Sequence, residues 1–329
     1  MLSAISLKFA VYFYNKYNFR RNMDKFTELL SKLTDHTKKS GSLEILENEP
    51  MKNHTSFKIG GPARIFAIPG NVKTLAFVLE SAREAGVRTY VLGRGTNVLF
   101  DDEGYDGIVI STAGLTDINV LENEITCGAG ASFTAVSKTA YDNSLDKMTF
   151  ANGIPGSVGG AVYMNAGAYN GEVANILKSS TYLDLNNGEI YELPFEDHEF
   201  SYRYSSYKSH PERVILSATF SLEKGDKESI KAEMDDFMNR RRTKQPLEMP
   251  SAGSVFKRYP GRYTAQMIDE AGLKGVSVGG ACVSEKHAGF IVNKGGATSD
   301  DVLTLIDIIK NKIREMHGID IETEIIYVK

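Results

Sequence analysis

The stretch Phe150 to Glu172, FANGIPGSVGGAVYMNAGAYNGE, constrains this chain more than any other. Gly153, Gly156, Gly159, Gly160, Gly167 and Gly171 lie there among small residues with almost no charge. Glycine is used where backbone must approach a ligand closely or turn with positive φ. Free amides in such loops form concave anion sites, strongest where a helix begins. Pro155 at a turn, Ser157 as an N-cap and the run Val158 to Asn165 predict a short helix whose N-terminus faces a polyanionic ligand. The competing reading is tight helix packing, in which the glycines only let backbones touch.

A chain of 329 residues, 42% hydrophobic and 24% charged, has room for two or three domains of ~100–150 residues each. Its net charge of -4 gives no global attraction to nucleic acid or to an anionic membrane, so any basic site is local. Cys127 and Cys282 are the only cysteines. They make no disulfide framework, zinc knuckle or CxxC pair and read as small buried residues in a reducing compartment. The 6 histidines form no metal spacing. Ala4 to Tyr14 is apolar but broken by Lys8, too short to span a bilayer, and without a cleavage site or basic leader. From Met23 a helical pattern sets in with Phe26, Leu29, Leu30 and Leu33. We expect translation to begin at Met23, which the intact mass of the native protein would test.

Thr34 to Ser42 reads as a polar linker. Asn53 to Arg64, NHTSFKIGGPAR, is a loop signature. Val72 to Ala85 reads as an amphipathic helix, Val87 to Leu92 as a strand, and Gly93-Arg94-Gly95-Thr96-Asn97 as the loop before strand-like VLF and IVIST. GRGTNV fails as a dinucleotide fingerprint, since valine replaces the third glycine and a strand follows; a phosphate cradle and an ordinary turn both remain open. Cys127 to Ser132 is a second glycine cluster opening a helix, with Ser132 as N-cap. Asn186-Asn187-Gly188 predicts a hairpin, and Val214 to Leu222 another strand. A helix from about Glu228 carries Ile230, Met234, Phe237 and Met238 and stops at Pro246. Beyond it lie a helix over Tyr263 to Ala271, the strand HAGFIVN, a helix over Asp300 to His317 capped by Thr298 or Ser299 and stopped by Gly318, and a final strand over Ile319 to Val328. These breaks divide the chain at residues 1–42 (extension and linker), 43–110, 111–222 and 223–329, with the last strand able to return to the first of the folded segments.

Several segments could carry chemistry. Phe200 to Lys208, FSYRYSSYK, sets hydroxyls around one guanidinium, suited to gripping a carboxylate or phosphate, or simply to a solvated loop. Ser254 in SAGSVFK has no nucleophile elbow around it. Alternation in the last strand puts Glu322 and Glu324 on one face. Arg240-Arg241-Arg242 suits either the negative end of a helix or a diphosphate clamp.

Read together, NHTSFKIGGPA, VLGRGTNVLF, CGAGASF, GIPGSVGGAVYMNAGAYNGE, SYRYSSYK, RRRTKQPLEMPSAGSVFK, DEAGLKG, SEKHAGFIVN and IETEI resemble the UDP-N-acetylenolpyruvoylglucosamine reductase family, in the branch lacking an extra tyrosine-bearing substrate loop. The resemblance runs from about Asn53 to the C-terminus. It implies an α+β fold: a vanillyl-alcohol-oxidase-type (PCMH-type) FAD-binding unit of two subdomains, here 43–110 and 111–222, and an α+β substrate domain, 223–329. It implies NADPH-dependent reduction of UDP-N-acetylglucosamine enolpyruvate through FAD, in the cytoplasm, for peptidoglycan precursors, with no metal and no nucleic-acid or membrane partner. By matching position, Arg203, Ser254 and Glu324 are the catalytic residues. FAD falls to Gly93, Arg94, Gly95, Thr96 and Asn97, and to Gly153, Ile154, Pro155, Gly156, Ser157, Gly159, Gly160 and Ala161. The substrate falls to Tyr202, Arg240, Arg242, Lys244, Gln245 and Lys257. Arg258-Tyr259-Pro260 departs from the family by one extra residue. A flavin-dependent alcohol or sugar oxidase on the same fold, and a nucleic-acid module using the arginine run, are the rival readings.

Overall fold

Leu29 and Leu33 are buried on one face of the first helix of the computed structural model, α1 (25–40), as the four-residue spacing from Met23 predicts. The structure describes residues 25–329; the expectations for Ala4 to Tyr14 and for a start at Met23 lie outside the described residues. Thr34 to Ser42 does not form a linker. The polar residues after Leu33 continue the solvent face of α1, and Gly41 at φ +62° ends it.

Strands Leu43–Pro50, Pro62–Pro69, Tyr105–Ser111 and Thr89–Leu92 make the first sheet in that spatial order, the first pair antiparallel and the others parallel. Helix α2 (Val72–Glu84) is started by Asn71, whose side chain accepts from the Thr74 amide, a cap worth about 1 kcal/mol. Leu75, Val78 and Leu79 of α2 and Leu29 and Leu33 of α1 pack on Ile65, Ile108 and Ile110 of this sheet.

The second sheet is antiparallel throughout, in the order Ile190–Pro194, Leu177–Asp184, Arg213–Ser221, Glu124–Gly128, Ile118–Leu121. Its first two strands are joined through Asn186-Asn187-Gly188, as the turn residues predict, with Gly188 at φ +75°. Helices α3 (Phe133–Asp142) and α4 (Val158–Met164) are capped by Ser132 and Ser157. They cover Ile125, Cys127, Ala218 and Phe220. Helix α5 (Lys227–Lys244) sends Phe237 into the same core.

The third sheet runs Ser251–Ser254, Phe290–Asn293, Ala281–Val283, Ser277–Val278. Helices α6 (Thr264–Glu270) and α7 (Ser299–His317) pack against it, α7 through Leu305, Ile306, Ile309 and Ile313. Thr298 and Asp301 form a capping box at the start of α7, and Gly318 at φ +68° closes it.

The final strand is shorter than its alternation implies. Only Ile326–Val328 is strand, parallel to Val98–Phe100 of the first half of the chain. The residues before it turn aside to pair with 255–257, Glu324 N–H donating to Val255 O and Lys257 N–H to Glu322 O. Cys127 and Cys282 are buried free thiols, and burial pushes the Cys127 thiol up to about 12, so it is not a nucleophile at neutral pH. Among the described residues no helix is long and apolar enough to cross a membrane.

Candidate active site

The two glycine loops meet. Arg94 Nε donates to Pro155 O at 3.1 Å, and a Cβ on Gly93 would overlap Ser157 Oγ. Gly95, at φ +63°, presses on His54 O, where no larger residue fits. Among the described residues, none of the five amides from Gly93 to Asn97 donates to a protein acceptor. Successive free N–H groups in a turn form an anion-binding concavity. Gly156 faces this concavity: a Cβ there would meet only Thr96 Oγ1, at 3.7 Å. Gly160 is exposed on the open side of α4, beside Ala161, with only Ser157 Oγ near its Cβ position. The packing reading of the central stretch applies to two of its glycines, since Gly159 packs on Ala129 and Gly171 on Phe150.

The start of α4 differs from the expectation. Val158 and Gly159 donate to Ala131 O and Ala129 O, and Gly160 to Ser157 Oγ. The amides that a helix N-terminus would offer a ligand are thus already used by the neighbouring glycine cluster, and the free amides lie in the loop at Gly93 to Asn97.

Beyond the loops, Arg203 and Glu324 meet, 121 residues apart in sequence. Arg203 Nε donates to Glu324 Oε1 at 2.7 Å, and its NH2 group reaches Gly167 O at 3.4 Å. Glu324 is held from the first loop, its carbonyl accepting from Asn97 Nδ2 at 3.2 Å while Ile326 N–H donates to Asn97 O. The side chain of Glu324 is 13% exposed and that of Glu322 74%, so the two glutamates expected on one face have opposite environments. Burial pushes the Glu324 carboxyl above its ordinary range, and Arg203, Lys208 and Lys257 offset this only in part. Glu322 is instead paired with Lys257 at 2.8 Å, which holds its carboxyl below the ordinary range.

Ser254 ends its strand one residue before Val255, whose carbonyl accepts from Glu324 N–H. The 251–254 strand is tied to the glycine loop by Ser56, whose hydroxyl donates to Ser251 O at 2.6 Å and whose N–H donates to Gly95 O. Tyr202 is half exposed, packs on the Arg203 guanidinium and accepts from Arg258 N–H at 3.1 Å. That bond joins the Arg203 loop to the segment with the extra residue.

The arginine run stands apart from this pair. Arg240 is paired with Asp236 at 2.8 Å one turn back, while Arg242 and Lys244 are exposed at the end of α5 and Gln245 follows them. Arg241 is the exception. It is 7% exposed, lies over the Tyr169 ring and packs on Gly153, where a Cβ would stand 3.0 Å from its Cδ. Its Nε and one terminal nitrogen are buried without a partner, and burial lowers its pKa. Sequence reasoning treated Arg241 as one member of the run and assigned the substrate to Arg240 and Arg242, although a signal set it apart: Arg241 continues the buried stripe of Ile230, Met234 and Phe237 at helical spacing.

Paired glycine loops on two α+β units define a FAD-binding fold, and residues 63–194 match the family model of the FAD binding domain. Residues 245–328 match the model of the UDP-N-acetylenolpyruvoylglucosamine reductase C-terminal domain. The chain is 46% identical over 282 residues to the UDP-N-acetylenolpyruvoylglucosamine reductase of Clostridium novyi, covering 86% of this chain and 91% of that one. It is 44% identical over 303 residues to the enzyme of the same name from Caldanaerobacter subterraneus, covering 92% and 96%. Its fold is similar to the crystal structure of the Thermus caldophilus reductase, with a TM-score of 0.72 and 30% identity over 87% of this chain and 99% of that one. This chain belongs to the UDP-N-acetylenolpyruvoylglucosamine reductase family. Its fold is an α+β FAD-binding unit with a C-terminal α+β domain, as the motifs imply.

Proposed function

We propose that the chain reduces UDP-N-acetylglucosamine enolpyruvate to UDP-N-acetylmuramate with NADPH through FAD, in the cytoplasm, as a step in peptidoglycan precursor synthesis. The observation that carries this reading is the partly buried Arg203 and Glu324 pair, hung from Asn97 on one side and Gly167 on the other. It sets a carboxyl and a guanidinium beside the loops that suit the cofactor.

The residues present fit FAD. The free amides of Gly93 to Asn97 suit its diphosphate, and the open face of Gly156 admits a close approach. The unpartnered guanidinium of Arg241 behind Gly153 is a buried donor awaiting an acceptor. Bound there, FAD supplies the hydride chemistry between NADPH and the enolpyruvyl group. The chain's own residues handle charge and protons on the substrate. When hydride reaches C3, negative charge spreads from C2 into the carboxylate, and Arg203, with Glu324 protonated, stabilises it through directed hydrogen bonds. Ser254 delivers a proton to C2. By their match to the family's motifs, Tyr202, Lys257, Arg240, Arg242, Lys244 and Gln245 are the residues we assign to the nucleotide diphosphate of the substrate.

A visible spectrum of the purified protein, followed by anaerobic addition of NADPH and then of the enolpyruvyl substrate, tests the reading. A flavin band that bleaches and returns is expected. Absence of that band even after reconstitution with FAD overturns it. Against the oxidase alternative, which commonly tethers FAD through histidine or cysteine, GRGTN holds neither. The adjacent His54 is engaged with Glu49 at 2.9 Å and stacked on Phe66. Yellow colour staying with acid-precipitated protein would favour the oxidase.

Gly156→Val is expected to abolish FAD binding while leaving the fold intact. Gly156 has no positive φ, so the loss comes from the branched side chain filling the space toward Thr96, not from backbone strain. Flavin absorbance per chain, read beside circular dichroism, checks this; a full complement of FAD would show that Gly156 serves packing alone.

A further inference from the structure

We propose that Lys208 is a positioning residue for reduction of the substrate: it fixes Arg203 through its backbone and places a positive charge near Glu324. This rests on the function proposed above. Lys208 Nζ donates to Arg203 O at 2.7 Å. Arg203 sits at φ +56°, a left-handed conformation that is strained for a residue bearing a side chain. Strain of this kind persists only where surrounding bonds over-determine it. Here Ser201 and Tyr204 close the turn with reciprocal N–H···O bonds of 3.2 and 3.1 Å. Asn165 Nδ2 donates to Ser201 O, and Ser205 Oγ donates to Tyr163 O, so the turn hangs from the end of α4. The ammonium of Lys208 lies 5.4 Å from the centre of the Tyr163 ring and completes the set.

A neutral donor could hold a carbonyl as well, so the charge itself needs a reason. Lys208 is half-buried and faces Arg203 on its own loop, Lys257 from 255–257, Glu324 from the C-terminal segment and Tyr163 from α4. Burial, Lys257 and Arg203 all work against the charged ammonium, and only Glu324 among these supports it. Three cations thus surround one carboxyl that is itself pushed toward the neutral form. Lys257 has the exposed Glu322 as partner at 2.8 Å, which leaves Lys208 and Arg203 sharing Glu324 alone, and a substrate carboxylate that gains charge on reduction supplies the further anion.

The test compares Lys208→Met and Lys208→Arg with the unmodified protein, following flavin bleaching by NADPH and its return with the enolpyruvyl substrate across pH. In Lys208→Met, FAD affinity and bleaching are expected to stay unchanged, while the return slows by about 10²-fold, the cost of a misplaced catalytic group. The pH profile separates charge from packing. The cation favours ionised Glu324, so removing it raises that pKa further, and a rate that needs the protonated carboxyl persists to higher pH. Lys208→Arg should keep the original limb and recover part of the rate. A limb that does not move in Lys208→Met, an equal loss in both halves, loss of FAD binding, or normal rates would each overturn the role given to Lys208. If the unmodified protein fails to reduce the substrate, the functional reading falls and this proposal falls with it, which the variants alone could not cause.

Discussion

Arg203→Lys is expected to lower the rate of substrate reduction by roughly 10²–10³-fold, the scale set by deleting one directed donor to developing negative charge. The charge is conserved and the geometry is not. Arg203 uses Nε for Glu324 at 2.7 Å and a terminal nitrogen for Gly167 O at 3.4 Å, two directions that a planar fork serves together. A lysine has one ammonium on a flexible stem and cannot reproduce them. The backbone at φ +56° and the Lys208 bond to the carbonyl of residue 203 do not depend on the side chain, so the turn itself should survive. Steady-state turnover with the enolpyruvyl substrate, normalised to bound FAD, measures the loss. Turnover close to normal would place Arg203 outside the reacting centre.

Much of the fold is legible because local rules and packing agree. Ser132, Ser157 and Thr298 all stand as N-caps where helices begin, and the turn at Asn186-Asn187-Gly188 admits little but a hairpin. Two errors share one cause. Thr34 to Ser42 looks like a linker because its residues are polar, yet polarity is what the solvent face of a docked helix requires, and only Gly41 ends it. Ile319 to Ile325 alternates like a strand, and Ile321 and Ile325 are buried as alternation demands; the backbone there nonetheless pairs with 255–257 by two bonds and does not join a sheet. Periodicity reports which side chains face the core, not which backbone they bond.

The site was legible as a set of motifs and not as a geometry. Arg203 and Glu324 are residues of the resemblance, but nothing in either segment says that a 2.7 Å bond joins them or that the first glycine loop suspends one of them. The use of the α4 amides by Ala129 and Ala131 was likewise invisible, since it depends on a loop 30 residues earlier folding over the helix start. Arg241 was hidden for the opposite reason. A run of arginines at a helix C-terminus has a sufficient explanation in the macrodipole, and that explanation fits Arg240 and Arg242, which lie exposed. It does not fit the one arginine whose position in the helical period turns it inward.

Ser254→Ala should separate the two halves of the reaction. Proton delivery to C2 belongs only to the half in which the enolpyruvyl substrate is consumed, so anaerobic bleaching of the flavin by NADPH should be nearly unchanged. The substrate half should slow by roughly 10²–10⁴-fold, the range for one positioned general acid. Ser254 is suited to this comparison because its backbone has independent support. The strand is fixed by Ser251 pairing with Val292, by Ser56 Oγ on Ser251 O at 2.6 Å, and by Val255 on Gly289 and Glu324. Removing one hydroxyl leaves those bonds in place, and with them the position of Glu324. Ser254→Cys, which keeps a donor, should lose less than alanine does. Stopped-flow absorbance follows each half separately. Equal slowing of both halves would mean that Ser254 acts through placement of the cofactor, and an unchanged substrate half would remove it as the proton donor and pass that role to another group near the Arg203 and Glu324 pair.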